Sequence, residues 1–147
     1  MTKKSSSSET KAHDGADAQS GKLVRTLTGH AINECNEAIH ITADARDPDN
    51  GNAGHVYRLE VRPAEGQPGF VFDFSFQHGP IKEVGTNGIT HEALIEVLID
   101  RLEGFQSGGY ACLENQQALD ALQVAKSALR TRTKARVARG VEGTHEV

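Results

Sequence analysis

Five cations and no acid occupy the segment ALRTRTKARVARG, residues 128–140. On a helix Arg132, Arg136 and Arg139 would be spaced i, i+4, i+7 and share one face. Arg130 and Lys134 would lie on another. Two arginines one turn apart can clamp a phosphate or pyrophosphate through several charge-assisted hydrogen bonds. The plainer reading is a solvated helix end whose cations stabilise the last carbonyls. Charge distribution bears on the choice. Residues 121–147 hold six cations and two acids, a net +4, while the whole chain is −4, so residues 1–120 carry −8. A general nucleic-acid binder would be basic overall. An acidic body with one basic end suits a small anion held locally, or a helix that complements its own dipole.

Other candidate chemistry is sparse. DPDNG from Asp47 opens like a calcium loop, but Arg58 stands where a bidentate Glu is needed. His30, Cys35 and His40 form no compact zinc motif. GTNGIT, residues 85–90, is a weak signal for a phosphate-cradling turn at a helix start. No acid pair, Ser-His-Asp set or thiol–His pair is evident among seven scattered histidines. No catalytic residue, metal site or cofactor is therefore expected. Cys35 and Cys112 read as free thiols.

The elements that must position these residues follow from patterning. With 147 residues and 37% hydrophobic content the chain fits one modest core. Residues 1–28 are expected to be a disordered Ser-rich tail, its low-complexity part ending near Leu23, because residues 2–22 offer no large apolar side chain. It lacks the apolar stretch of a secretory signal, and no run reaches transmembrane length, so a soluble cytoplasmic protein is expected. Residues 29–147 are expected to form a single α+β domain, with strands over about 36–84 and helices over about 90–139. Ile39 and Ile41 alternate with polar residues, as do Tyr57, Leu59 and Val61. Phe70, Phe72, Phe74 and Phe76 keep strict period two, which predicts a strand with one aromatic face on a core. Three or four antiparallel strands result. GPIKEVGTNG, residues 79–88, reads as a connection with room for a short strand. Thr90 is a good N-cap, and Leu94, Ile95, Leu98, Leu102 and Phe105 recur at three- and four-residue steps. After the glycine-rich break QSGG a second helix runs over roughly 111–139, with a thin stripe of Leu119, Leu122 and Leu129 beside Ala118, Ala125 and Ala128. The short break makes the two helices an antiparallel hairpin.

From residue 77 to 147 the chain resembles phage and prophage proteins that share the helical hairpin of the Thoeris anti-defence and anti-CBASS sponges. GPIKEVGTNG, FQSGGYACLEN and RTKARVARGVEGT carry the likeness. The nearer branch is the Thoeris one, with a β-rich part before the hairpin. The resemblance implies a non-enzymatic activity: a cyclic nucleotide immune signal is held without being degraded. That signal would be a cyclic ADP-ribose isomer, or a cyclic di- or trinucleotide, captured in the host bacterial cytoplasm. It also implies ligand contacts at Phe105 for base stacking, Asn115 for a base or ribose, and Arg132 and Arg136 for phosphates. One departure is local: relatives have Gly-Pro before the aromatic-Ala-Cys stretch, whereas Gly108 and Gly109 precede Tyr110 here.

Asn115 and Arg132 are seventeen residues apart, about 25 Å along a helix. One small ligand cannot touch both in one chain. A homodimer, or a higher assembly built from dimers, is therefore expected, with two shared pockets and neither a membrane nor a stable DNA or RNA complex as partner. Two rival readings use the same basic helix or surface: a nucleic-acid-binding module, or a direct inhibitor of a host protein.

Overall fold

The computed structural model describes residues 23–144 and 146. Four strands, β1 (Arg25–Leu27), β2 (Ile39–Ala43), β3 (Val56–Val61) and β4 (Phe70–Ser75), form an antiparallel meander in the order β1-β2-β3-β4. Short helices α1 (Glu34–Glu37) and α2 (Ile81–Val84) lie in the connections, with a 3-10 turn at Pro48–Asn50. Two long helices close the chain: α3 (His91–Gln106) and α4 (Leu113–Ala138). The α+β expectation of a small antiparallel sheet followed by a helical hairpin holds.

Register explains the sheet's two faces. Ile39, Ile41 and Ala43 on β2 stand opposite Val61, Leu59 and Tyr57 on β3, which stand opposite Phe70, Phe72 and Phe74 on β4. Partners directly opposite share a face, so this face is apolar. The other face carries Thr42, Arg58 and Asp73 in a row. There Arg58 forks onto Asp73 with N–H···O distances of 2.7 and 2.8 Å. That guanidinium holds the Asp73 carboxyl below the usual carboxylate range.

Thr90 caps α3 as expected, its hydroxyl accepting the Ala93 N–H at 3.2 Å. Lys126 Nζ meets Glu96 at 2.6 Å, and Gln106 donates to Gln116 at 3.1 Å. Both pairs have positions summing to the same value, so the helices run antiparallel. Where the two helices overlap, less exposed positions include Glu92, Ile95, Ile99, Leu102 and Gln106 on α3, and Asn115, Leu119, Leu122, Lys126 and Leu129 on α4. This alternation of three- and four-residue steps is the seam of a two-stranded coiled coil. Ile99 and Leu119 are its most buried members, 4% and 6% exposed.

Four expectations need correction. Residues 25–27 belong to β1 and not to the tail, because Val24 and Leu27 extend the sheet by pairing against β2; residues 1–22 lie outside the described residues. No strand forms within 79–88; Ile81–Val84 makes a helical turn after Pro80 instead. The apolar stripe of α3 points partly outward, since Leu94 and Leu98 are exposed while Ile99 takes the core position. The phenylalanine ladder is only half covered: Phe70 and Phe72 are 62% and 56% exposed, whereas Phe74 and Phe76 sit against Tyr57. Among the described residues no strand backbone comes close to α3 or α4.

Candidate functional site

Chemistry gathers at the two ends of the hairpin. At the turn end, antiparallel pairing brings the last turn of α3 against the first of α4. Phe105 is half-buried there, with Tyr110 edge-on at 6.0 Å between ring centroids and the Arg101 guanidinium 4.8 Å over its ring. Arg101 reaches it because i and i+4 share a helical face. Asn115 donates its side-chain N–H to the Tyr110 carbonyl at 3.1 Å, and its side-chain oxygen accepts no hydrogen bond among the described residues. Gln106 accepts the Cys112 N–H at 2.9 Å, and the Cys112 sulfur accepts the Asn115 N–H at 3.4 Å. The turn is thus held by Gln106 and Cys112. This end offers an aromatic surface, a guanidinium and an amide oxygen, which suits a planar base.

The opposite end is cationic. By the register of the hairpin, α4 continues past the start of α3, so its last turns project beyond the seam. Arg132 is exposed and its side chain makes no hydrogen bond or ion pair among the described residues, as is also true of the side chains of Arg130, Lys134 and Arg139. Arg136 differs. Its Nε donates to Glu142 at 2.9 Å, and its two terminal nitrogens donate to the carbonyls of Glu146, Val141 and Thr144 at 2.7 to 3.0 Å. Four of its five N–H groups are therefore engaged by the segment after α4. Gly140 and Gly143, both at φ 75°, let that segment double back, and Gly143 accepts the Lys82 N–H from α2 at 3.3 Å. The structure thus brings Phe105 and Asn115 together at one end and Arg132 and Arg136 at the other, but does not join the two pairs. Sequence reasoning missed Arg101, whose spacing from Phe105 was a usable signal, and Glu142, whose role depends on a reversal that no periodicity announces.

A shallow groove of about 370 Å³ runs along α4, lined by Gln123, Lys126, Ser127, Arg130, Thr131 and Lys134. These positions form a single helical stripe, so the groove lacks the enclosing walls of a small-molecule pocket.

The fold and these two ends define a class: a small α+β protein whose antiparallel helical hairpin follows a meander sheet and bears polar chemistry at both tips. The Acb2/Tad1 hairpin domain matches residues 71–134, from β4 into the last turns of α4. Thoeris anti-defense 1 of Bacillus phage SBSphiJ7 is 41% identical over 96 residues, covering 65% of this chain and 66% of that protein. The chain belongs to the Thoeris anti-defence family.

Proposed function

We propose that this chain is a phage or prophage anti-defence protein that sequesters a cyclic nucleotide immune signal, a cyclic ADP-ribose isomer or a cyclic di- or trinucleotide, without degrading it. The observation that carries the reading is the separation of the two chemical ends. Phe105 and Asn115 suit a base and ribose, Arg132 and Arg136 suit phosphates, and about 25 Å of α4 lies between Asn115 and Arg132. Two hairpins laid antiparallel would bring the aromatic end of one copy to the cationic end of the other and create two equivalent sites. Apolar surface for such an assembly exists: Leu94, Val97 and Leu98 on α3, and Phe70 and Phe72 on β4, are exposed. The proposed unit is a homodimer or a larger assembly of dimers. It works by binding and not by catalysis, in the host cytoplasm. No described helix is long and apolar enough to cross a membrane.

Arg136 has a double part in this reading. It ties Val141, Glu142 and Thr144 to α4, and its remaining N–H, or those released when these contacts open, would meet the phosphate.

Subunit mixing tests the proposal. Asn115→Ala and Arg132→Ala chains should each bind a cyclic ADP-ribose isomer poorly. Mixed and allowed to exchange, they should regain part of the binding, because one hybrid site keeps both native halves. Exchange without recovery would sink the shared site. Intact ligand recovered from heat-denatured complex distinguishes sequestration from hydrolysis.

A further inference from the structure

We propose that Asp47, His55 and His78 make a binding site for a divalent transition metal, zinc by the chemistry of its ligands, at the joint between the sheet and the hairpin. Their ligand atoms all lie within 4.8 Å of one another. Asp47 Oδ2 is 3.1 Å from His78 Nε2 and 3.9 Å from His55 Nε2. Bonds of about 2.0–2.2 Å to a tetrahedral zinc ion set its ligand atoms roughly 3.3 Å apart, so the cluster is within a small adjustment of that geometry. Two imidazoles and one carboxylate favour zinc and its transition-metal neighbours over magnesium or calcium, which take oxygen ligands.

An independent observation points into the same space. His55 Nε2 is buried and has no hydrogen-bond partner among the described residues, on a side chain only 10% exposed. Buried polar atoms are nearly always satisfied. The Asp47–His78 contact alone leaves this nitrogen unsatisfied; an ion held between the three side chains would satisfy it.

The supports of the cluster are fixed. Asp47 caps the 3-10 turn, accepting the Asp49 N–H at 3.0 Å and the Asn50 side-chain N–H at 2.7 Å; such outer hydrogen bonds orient a ligating carboxylate. The His55 N–H donates to both carboxylate oxygens of Asp44, at 2.9 and 3.1 Å, and its carbonyl accepts the Phe76 N–H at 2.8 Å. The backbone of His78 is bonded on both sides by the Asn87 side chain, at 2.9 and 2.8 Å. One adjustment is required. The two imidazoles stack with centroids 4.1 Å apart and planes 16° from parallel, so their lone pairs run side by side. The His78 side chain, 46% exposed, has solvent to turn into and can swing its nitrogen toward the ion, while His55 stays in place. Three protein ligands leave a fourth position open to water or another donor. An ion here would tie the β2–β3 loop to the segment that leads from β4 into the hairpin.

The test uses the full chain, stripped with a chelator and titrated with zinc chloride, and separately with cobalt(II) as a spectroscopic probe. The expected result is one equivalent bound per chain with a Kd in the micromolar range or below, a raised Tm, and the visible absorption of four-coordinate cobalt. His78→Ala removes an exposed ligand, and Asp47→Asn keeps the capping oxygen while removing the charge. Each should weaken zinc binding at least tenfold with the fold retained by circular dichroism. His40→Ala, on the exposed side of β2, should bind as the native chain does. No zinc binding by the native chain, or unchanged affinity in both His78→Ala and Asp47→Asn, would overturn the site.

Discussion

At the scale of single residues, the five basic side chains of α4 are not equivalent, and the difference is measurable. Arg132 reaches solvent with every donor available, so Arg132→Ala should leave Tm nearly unchanged. It should weaken ligand binding by about ten- to a hundredfold, the worth of one charge-assisted phosphate contact. Arg136 is tied to four acceptors in the segment after α4. Arg136→Ala should therefore lower Tm as well as affinity, because it leaves several carbonyls and the Glu142 carboxylate without their partner. Arg136→Lys keeps the charge but not the planar fork and should recover little of either. Arg130→Ala should cost much less, since an exposed cation contributes mainly a screened field. Calorimetric titration beside melting curves separates these outcomes. Equal small losses at all positions would reduce the segment to a diffuse basic patch.

At the scale of elements, the hairpin and the sheet draw stability from different sources. Ile99 lies on the α3–α4 seam, and truncating it to Ala should cost about 2–4 kcal/mol in urea unfolding. Val97, 63% exposed on the same helix, should lose far less in monomer stability when truncated. In the sheet, Asp73 has a depressed pKa because of its hydrogen bonds to Arg58. A depressed carboxylate stabilises the fold above its ordinary pKa, and that contribution disappears as pH falls through the lower folded value. The Tm difference between native protein and Asp73→Asn should thus be fully present above about pH 4 and fade only as pH falls further, through the depressed folded value. It should be small, because both side chains are half exposed and solvent screens them. Much of this architecture was legible in the sequence. Period-two phenylalanines and the Thr90 cap are local signals, and they placed β4 and α3 closely. β1 was not legible, because three residues carry no period. Ile99 was missed because α3 has apolar residues at 94, 95, 98, 99, 102 and 105, a stripe wider than one seam, and only α4 selects which half is buried. At the site, Phe105 and Asn115 were reached only through the family resemblance, and the short turn explains why they lie at one end. The partners of Arg136 were not legible, nor was the Asp47, His55 and His78 cluster, whose members meet only through the register of a meander.

At the scale of the whole molecule, sheet and hairpin meet through a narrow junction. Phe76 bridges to Ile89 and stacks on His91 at 4.9 Å. Gly88 lies against the backbone there, with an added Cβ falling 2.6 Å from the Gln77 nitrogen. Beyond that junction, among the described residues, no strand backbone comes close to α3 or α4. The consequence is kinetic. The α3–α4 contacts arise across one short turn, and helical contacts of this local kind form in microseconds to milliseconds, whereas strand pairing over longer loops is slower. The hairpin should be complete while the meander is still assembling, and each unit should open with its own free energy. Native-state hydrogen exchange should therefore resolve two protection classes, one along the α3–α4 seam and one across β2 and β3. A single class throughout would mean that the junction, or a covering second copy, couples the two halves into one cooperative unit.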